Sequence, residues 1–256
     1  MKIIPIAGYS GTGKTTFISS LISRLGEMGR VGVVKHLGHH RYSLEEGKDT
    51  TVYFAKGADI SVGVDDEKTV TVSRENRLSD VLDMLANQGM DFAVLEGFKS
   101  LGYPKIVLGE FEDERCILRN PTVEEVIESL GKFADHYTMN GVVKELRREC
   151  DLSRAGVIMT INGIVREWTG DTKTEYLDFE DDIDRKILEI KRRMEEIDGI
   201  LGVRFYHRKG RLYSGEGITY IAIAAEHRGE AFLAASQALD ELKKGLHSNL
   251  PGSTSR

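Results

Sequence analysis

Short apolar runs alternate with amphipathic stretches through the first half of the chain. Residues 3–7 form the first apolar run, and after a glycine-rich turn residues 15–29 carry apolar side chains at helical spacing. Further strands are predicted at residues 31–35, 60–64, 69–73, 92–96 and 105–108, and further helices at 79–88 and from Pro121 to about Gly131. Strands that alternate with helices are typical of a doubly wound, mainly parallel sheet, so we predict an α/β fold for this half.

The pattern changes beyond residues 137–141, which we interpret as the junction between two domains. It predicts a strand at 156–165, a long helix at 182–197, two strands near 203–207 and 218–225, and a closing helix at 229–246. The long helix has one apolar face for a core and one charged face for solvent. This order predicts a smaller α+β domain over residues 139–256, after the α/β domain over residues 1–138. The small polar residues from about 248 onward predict a disordered tail.

Composition and charge narrow the class of protein. The 256 residues are 40% hydrophobic and 30% charged, which is typical of a globular protein with enough apolar side chains for a core in each half. We find no apolar run near the roughly 20 residues that span a bilayer and no signal-peptide pattern, so we expect a cytoplasmic protein without membrane contact. The net charge of −6 argues against nucleic-acid binding. Cys116 and Cys150 lack C-x-x-C spacing and are expected to be buried, reduced thiols.

Residues 8–15, with the sequence GYSGTGKT, fit the P-loop pattern G-x-x-x-x-G-K-[ST] in full and lie between a predicted strand and a predicted helix. The glycines of this pattern let main-chain N–H groups point at an anion, and the helix N-terminus adds positive potential. We expect Lys14 to reach the β- and γ-phosphates of a nucleotide, and Thr15 to offer a hydroxyl to Mg²⁺. The alternative is a turn that only connects the strand to the helix. The predicted nucleotide-binding residues are Gly8, Ser10, Gly11, Thr12, Gly13, Lys14, Thr15 and Thr16.

A carboxylate that handles the metal is expected at the end of a neighbouring strand, and Glu96 ends the predicted strand 92–96. Thr15 and Glu96 are therefore the predicted metal ligands. The alternative for Glu96 is an ordinary surface carboxylate. Asp49 is either a further acid that orients the metal or a solvated loop residue.

Three histidines, His36, His39 and His40, follow Lys35 at the same predicted edge of the sheet. They either contact a polar substrate or a metal, or they belong to an exposed loop. The base-reading tetrapeptide N-K-x-D of guanine-specific GTPases does not occur in the sequence. The residues alone therefore leave the choice between ATP and GTP open.

Several short motifs follow one another along this half. After the loop at 8–15 come KH at 35–36, GKD at 47–49, AKGAD at 55–59, LEGFK at 95–99 and PKI at 104–106. Together they resemble the molybdopterin-guanine dinucleotide biosynthesis protein B family over residues 1–138. The resemblance implies a GTP-binding, weakly hydrolysing and usually dimeric adaptor. Such an adaptor assists the guanylyltransferase that attaches a guanosine nucleotide to molybdopterin. The resemblance also implies that Gly11, Gly13, Lys14 and Thr15 hold the nucleotide and Mg²⁺, with Glu96 and Lys99 near the site.

Basic residues recur at the ends of predicted elements in the second half. Arg166 follows a strand, His207–Arg208 ends another, His227–Arg228 opens the last helix, and Lys243 lies about four turns along it. Cations without matched acids indicate an anionic ligand. A helix N-terminus disfavours basic residues, so a bound anion would offset the cost of His227 and Arg228 there. The alternative is that these cations are paired with acids on the surface.

A second resemblance rests on residues 155–157, 162–167, 207–210, 225–232 and 239–243. They resemble the catalytic (large) subunit of molybdopterin synthase, over about residues 140–246. That family converts cyclic pyranopterin monophosphate into molybdopterin by inserting two sulfurs. A small ubiquitin-like carrier delivers them as a thiocarboxylate on its C-terminal Gly-Gly. The resemblance implies that Arg166, His227 and Arg228 contact the phosphate and the pterin, and that Lys243 is a catalytic lysine.

The second half departs from that family's pattern at one point. The pattern continues into P-x-W-K-x-E with a second catalytic lysine, whereas no lysine follows Lys244 here. Lys244 and His247 are the candidate substitutes. The departure leaves open a domain that docks the carrier without turnover, because a missing proton carrier typically costs about 10²- to 10⁴-fold in rate.

The two resemblances fall on one pathway, so we predict a fused protein of molybdenum cofactor biosynthesis. A P-loop unit that binds GTP and Mg²⁺ precedes a sulfurtransferase unit of the molybdopterin synthase type. The expected partners are the sulfur carrier, the guanylyltransferase, cyclic pyranopterin monophosphate and a second copy in a homodimer. One alternative is a non-catalytic GTP-binding scaffold that recruits the carrier. The other is a P-loop small-molecule kinase with a regulatory domain, although we find no arginine-rich lid segment between Ser73 and Leu118.

Overall fold

The computed structural model describes residues 1–38, 47–179, 183–245 and 253–254. The chain divides into two compact units. The first contains Met1–Leu85 and Met90–His136, and the second contains Ala86–Gly89 and the described residues from Tyr137 onward.

The first half of the chain alternates strands with helices. Its strands are β1 (Lys2–Gly8), β2 (Val31–Lys35), β3 (Ile60–Val64), β4 (Thr69–Ser73), β5 (Phe92–Glu96), β6 (Lys105–Leu108) and β7 (Cys116–Arg119). Its helices are α1 (Lys14–Gly26), α2 (Asp49–Ala55), α3 (Leu78–Asn87) and α4 (Val123–Glu128).

A parallel sheet is the centre of the first unit, with the strand order β2-β5-β1-β6-β7. Side chains of β1 alternate between two apolar clusters: Ile4 and Ile6 belong to one, and Ile3 packs with Leu95 in the other. A parallel sheet that is covered on both faces has strands that are apolar throughout, which is why residues 3–7 form a continuous apolar run. The predicted doubly wound α/β fold of the P-loop type is confirmed.

β3 and β4 do not join that sheet. They pair with each other as an antiparallel hairpin, with Ile60 opposite Ser73 and Val64 opposite Thr69. Residues 65–68 alone connect them, and so short a connection does not allow the crossover that parallel pairing requires. The prediction that these two strands belong to the mainly parallel sheet is therefore wrong.

The second unit has a different order of elements. Its strands are β8 (Val157–Ile164), β9 (Trp168–Thr169), β10 (Thr172–Thr174), β11 (Tyr176–Phe179), β12 (Ile200–His207), β13 (Gly210–Tyr213), β14 (Gly217–Ala225) and β15 (Ser253–Thr254). Its helices are α5 (Met139–Glu149), α6 (Ile183–Glu195) and α7 (Arg228–Gly245).

An antiparallel sheet with the order β12-β14-β8 carries the core of the second unit. On one face Ile223 packs with Ile190 of α6 and Ala234 of α7. On the other face Ala222 packs with Leu146 of α5. Consecutive residues of β14 therefore serve opposite faces, as the period of two in a strand requires. The predicted α+β class of the second half is confirmed.

Residues 137–141, which the sequence pattern indicates as a junction, follow directly after the division between the two units at His136 and contain the start of a helix. The hydroxyl of Thr138 accepts a hydrogen bond from the main-chain N–H of Gly141 at 3.1 Å and so caps α5. Threonine is a favourable N-cap because its oxygen satisfies one of the free N–H groups of the first turn. The junction segment is therefore an ordered part of the second unit.

The predicted disordered tail is corrected at two positions. Ser253 and Thr254 form β15, which pairs in antiparallel fashion with Thr174 and Lys173 of β10. An open strand edge offers unpaired N–H and C=O groups to any extended segment within reach. The other residues from 248 onward lie outside the described part of the chain.

Two expectations from composition concern the cysteines and the membrane. Cys116 and Cys150 are both free, as expected, but each is half-buried rather than buried. Within the described residues, no helix is both long enough and apolar enough to cross a membrane.

Candidate phosphate-binding sites

The loop between β1 and α1 has a backbone that only glycine adopts easily. Gly11 and Gly13 have φ angles of 80° and 77°, which are in the left-handed region. A Cβ atom at Gly8 would lie 2.5 Å from the carbonyl oxygen of Leu108, because the loop passes close to the end of β6. Each of the three glycines of the motif therefore has a steric reason to lack a side chain.

Lys14 folds back over this loop. Its Nζ donates to the carbonyl oxygen of Gly8 at 3.1 Å and also to that of Tyr9. Thr12 Oγ1 donates to the same Tyr9 carbonyl at 2.9 Å. The ammonium group is thus held against the main chain of the loop.

Glu96 lies beside the loop, at the same edge of the sheet. β5 is a neighbour of β1, and Glu96 is opposite Ile6, two residues before β1 ends. The Glu96 side chain is only 14% exposed, and its Oε1 lies 3.2 Å from Nζ of Lys35. An ordinary surface carboxylate would be far more exposed, so the geometry favours the reading of Glu96 as part of the site.

Lysines outnumber carboxylates around the loop. Burial lowers the pKa of Lys14, Glu96 opposes this shift, and Lys99 and Lys35 add to it. Three lysines and one carboxylate therefore interact electrostatically at this edge of the sheet. This balance favours a ligand with several negative charges.

Thr15 and Glu96 are suitable donors for Mg²⁺. Thr15 is exposed in the first turn of α1. Mg²⁺ prefers oxygen ligands and takes only one or two from protein, because waters and phosphate oxygens supply the rest. Among the described residues, no group of three or more His, Cys, Asp and Glu side chains is placed to hold a metal. A metal here would therefore depend on the phosphates of a ligand.

Asp49, the further candidate acid, begins α2 and is exposed.

Sequence reasoning missed an aromatic pair next to the loop. The rings of Tyr9 and Phe111 meet edge to face, with centroids 5.6 Å apart. Nζ of Lys99 lies 4.9 Å from the Tyr9 centroid and 5.3 Å from the Phe111 centroid. Such cation–π contacts hold Lys99 against the loop. The sequence gives no signal for this cluster, because the contacts join separate loops and follow no periodic pattern.

The histidines that follow Lys35 are described only in part. The ring of His36 packs on the ring of Phe98, with centroids 5.0 Å apart. His39 and His40 lie outside the described residues. Their predicted contact with a substrate or a metal therefore stays a prediction.

In the second unit, Arg166 lies beyond one end of the sheet. Ile164, the last residue of β8, is opposite Gly217, the first residue of β14. His207 ends β12 opposite Thr219, so it lies at the same end.

His227 and Arg228 lie beyond the opposite end of that sheet. They follow Ala225, which ends β14 opposite Val157, the first residue of β8. The eight residues of β8, at about 3.3 Å each, separate them from Arg166 by about 26 Å. Within one copy of the chain, the antiparallel register therefore sets Arg166 apart from His227 and Arg228.

Two of the predicted cations are not free. Arg208 lies 3.3 Å from the carboxylate of Glu216 and donates to the carbonyl of Gly217 at 3.1 Å. His207 is 6% exposed, and burial lowers its pKa. Its Nδ1 lies 2.8 Å from the carbonyl oxygen of Arg208, so the neutral ring donates there and leaves Nε2 as an acceptor. The alternative that such cations are matched by acids is correct for Arg208.

Arg166, Arg228 and Lys243 are exposed and form no ion pair within the described part of the chain. Lys243 lies 15 residues beyond Arg228, about 22 Å along the axis of α7. Its neighbour Leu242 lines a cavity together with Ile183 at the start of α6.

The start of α6 is at the Arg166 end of the sheet. Asp184, in its first turn, pairs with Lys209, which lies two residues beyond the end of β12. Since Leu242 and Ile183 line one cavity, Lys243 lies towards this end. The structure thus groups Lys243 with Arg166 and sets both apart from His227 and Arg228.

Two family profiles match the chain in succession. The family described as molybdopterin guanine dinucleotide synthesis protein B matches residues 3–128, and the MoaE protein family matches residues 137–245. The chain belongs to both families. It is a fusion of protein B with the catalytic subunit of molybdopterin synthase, as its motifs predict. Membership of these two families places the fusion in molybdenum cofactor biosynthesis.

Relatives of the fusion cover either the whole chain or one half. A probable molybdopterin synthase from Haloferax volcanii is 29% identical over 249 residues, which are 93% of this chain and 91% of that protein. A probable molybdopterin-guanine dinucleotide biosynthesis adapter protein from Bacillus subtilis is 37% identical over 119 residues, which are 43% of this chain and 67% of that protein. The solved structure of Bacillus subtilis MobB has 23% identity and a TM-score of 0.42, and the match covers 53% of this chain and 100% of that one.

Proposed function

We propose that the protein B unit binds GTP and Mg²⁺ at the loop of residues 8–15 and acts as an adaptor for the guanylyltransferase of the pathway. The observation that carries this proposal is the position of Lys14, held over a glycine loop between β1 and α1. Main-chain N–H groups of such a loop bind phosphate oxygens, and Lys14 neutralises part of their charge. Thr15 and Glu96 would hold Mg²⁺, which neutralises phosphate charge when it is bound.

For the MoaE unit we propose insertion of sulfur into cyclic pyranopterin monophosphate, with a thiocarboxylated carrier as the donor. Arg166 would hold the phosphate, because a guanidinium group binds two of its oxygens at once. Lys243, at the same end of the unit, would move protons during attack by the thiocarboxylate. His227 and Arg228 of the same copy are too distant to contact that ligand.

A homodimer resolves this separation. If the start of α7 in a second copy meets the Arg166 end of the first, then His227 and Arg228 of that copy complete the site. Phe232 and Leu233, one turn beyond Arg228, are 63% and 49% exposed. Large apolar side chains that are exposed beside ligand-binding residues favour an interface between subunits.

The test of the nucleotide site uses Lys14→Ala. We expect the affinity for Mg·GTP to fall by at least about 100-fold, because hydrogen bonds from a charged group to phosphate are lost. Isothermal titration calorimetry measures this change. Lys132→Ala, at an exposed position in the same unit, should leave the affinity unchanged. Equal affinities of Lys14→Ala and the wild type would contradict the proposal.

The test of sulfur insertion uses the purified fusion with cyclic pyranopterin monophosphate and the thiocarboxylated carrier. Wild-type protein should form molybdopterin. Lys243→Ala should lower kcat by about 10²- to 10⁴-fold, because a positioned proton carrier is lost, and should leave precursor binding unchanged. Lys144→Ala, an exposed lysine of α5, is the matched control. No product from the wild type at high enzyme concentration would favour a scaffold that recruits the carrier without turnover.

A further inference from the structure

We propose that the end of β7, with Asn120, reads the base of the bound nucleotide and selects guanine over adenine. This inference rests on the proposed nucleotide site of the protein B unit and assigns a base contact to it. Asn120 directly follows β7, and its side chain is exposed.

The order of strands places the base on this side of the loop. Glu96 and Lys35 end β5 and β2, which lie on one side of β1, whereas β6 and β7 lie on the other. Ligands of open α/β sheets bind across the carboxyl ends of the strands. If the metal and the terminal phosphate lie towards Glu96, then the nucleoside extends towards β6 and β7. β7 is two strands from β1, about 10 Å away, which is a distance that a ribose and a phosphate can bridge.

Asn120 has an unusual backbone. Its φ of 46° is the one positive value at a non-glycine residue within the described part of the chain. Asparagine tolerates this left-handed region better than most residues, but the conformation still has to be held by its surroundings. The main-chain N–H of Asn120 donates to the carbonyl of Val107 at 2.9 Å. Its side-chain Oδ1 accepts from the N–H of Gly109 at 2.6 Å.

This second hydrogen bond fixes which way the side-chain amide points. The Gly109 N–H is a donor, so the atom that faces it must be the amide oxygen, and Nδ2 points away from it. Nδ2 has no acceptor among the described residues. The free end of Asn120 is therefore a pure hydrogen-bond donor.

A pure donor distinguishes the two purines. Guanine presents two acceptors, N7 and O6, on the edge where adenine presents the acceptor N7 and the donor N6. Nδ2 of Asn120 matches both guanine atoms but opposes the amino group of adenine. The contact of Asn120 would thus distinguish guanine from adenine. In guanine-specific GTPases the N-K-x-D motif does this, and that motif is absent from this sequence.

Arg119 holds the neighbouring loop in place. Its Nη1 donates to the carbonyl oxygen of Gly109 at 2.9 Å and to that of Phe111 at 3.2 Å. These bonds fix the segment whose N–H orients the Asn120 amide, so Arg119 is a positioning residue. A contact group that is held before the ligand arrives loses less entropy on binding.

The test uses Asn120→Asp in the full-length chain. Aspartate keeps an acceptor for the Gly109 N–H and tolerates a positive φ, so a merely structural role would survive, but the donor is lost. Calorimetry with Mg·GDP, Mg·IDP and Mg·ADP measures binding. We expect the wild type to bind GDP at least tenfold more tightly than ADP. The variant should lose at least tenfold in affinity for GDP and for IDP, which shares N7 and O6, with ADP changed less than twofold.

Asn140→Asp is the matched control, because it makes the same chemical change at an exposed position in the first turn of α5. It should bind all three nucleotides as the wild type does. Equal losses for GDP and ADP in Asn120→Asp, or no loss for either, would overturn the base assignment while leaving the nucleotide site intact. Wild-type protein that binds none of the three would overturn the nucleotide site itself, and the base assignment with it.

Discussion

Lys105 is the fully buried lysine of the described chain, and both of its described partners are oxygen atoms. Its side chain is 0% exposed, and its Nζ donates to Asp113 at 2.6 Å and to the carbonyl oxygen of Lys99 at 2.8 Å. The hydrogen bond from Lys105 holds the pKa of Asp113 below its usual value. The pair joins the loop that carries Lys99 to the loop that carries Phe111, and both of these side chains contact Tyr9 of the phosphate loop.

Asp113→Ala should destabilise the first unit by about 2 kcal/mol, since a buried ammonium group loses its charged partner. Hydrogen exchange of β1 and β5 amides measures the free energy of unfolding of this unit, and the fluorescence of Trp168 reports the second unit, which should not change. Glu112→Ala is the control, because its side chain is 90% exposed and lies 3.6 Å from Arg119. Equal losses of stability in Asp113→Ala and Glu112→Ala would contradict a stabilising role for the Lys105–Asp113 pair.

The same pair predicts a dependence on pH. Because the pKa of Asp113 is lower in the folded state, its contribution is fully present above the pKa of the unfolded carboxyl group, about 3.9, and is lost as the pH falls through the folded value. The difference in stability between the wild type and Asp113→Ala should therefore be constant near neutral pH and decrease below about pH 4. A difference in stability between the wild type and Asp113→Ala that increased below about pH 4 would contradict this prediction.

At the scale of elements, burial decides what the sequence pattern can predict. β1 and α6 are predicted well, because each presents a continuous apolar run or stripe to a core. α5 was missed although it is amphipathic; only Val142 and Leu146 of its eleven residues are buried. β7 was missed because it is a four-residue edge strand that is only partly buried.

In the candidate sites, residues that are consecutive in the sequence could be predicted, and contacts between separate segments could not. The phosphate loop could be predicted, because its glycines, Lys14 and Thr15 are consecutive and their chemistry is local. The contacts of Lys99 with Tyr9, and of Asn120 with Gly109, depend on strand order and main-chain geometry, which have no periodic signal. The separation of Arg166 from His227 within one copy could not be predicted, because the sequence pattern does not show that β8 and β14 are antiparallel neighbours.

The start of α4 offers a prediction for a single element. The hydroxyl of Thr122 accepts from the N–H of Glu125 at 3.3 Å, and the Glu125 carboxylate accepts from the N–H of Thr122 at 2.7 Å. Loss of such a capping box typically costs about 1 kcal/mol, so Thr122→Ala should lower the stability of the first unit by that amount. Hydrogen exchange in β1 and β6 checks this, and Thr122→Ser, which keeps the hydroxyl, should restore most of the loss. A serine variant as unstable as the alanine variant would exclude the cap as the cause.

At the scale of the whole molecule, the proposed sulfur-insertion site would take its cations from two copies of the chain. Arg166 and Lys243 lie towards one end of the unit, and His227 and Arg228 lie at the other, about 26 Å from Arg166. A site that is shared between subunits leaves a signature that a site within one subunit does not, because inactive copies can complement each other.

Arg166→Ala and Arg228→Ala should each be nearly inactive in molybdopterin formation. After mixing and reassembly, half of the dimers contain one copy of each variant, and one of their two sites has both arginines, so about a quarter of wild-type activity should return. The control mixes Arg166→Ala with Lys243→Ala, which remove groups from the same end, and should stay inactive. Recovery in the control, or none in the first mixture, would contradict a site shared in this way.

The covalent continuity of the two units fixes their ratio during synthesis. His136 ends the first unit and Tyr137 continues into the second, so every ribosome that completes a chain delivers one of each. Changes in promoter strength, messenger stability or translation rate alter both units together. Separate genes would need matched regulation to keep such parity.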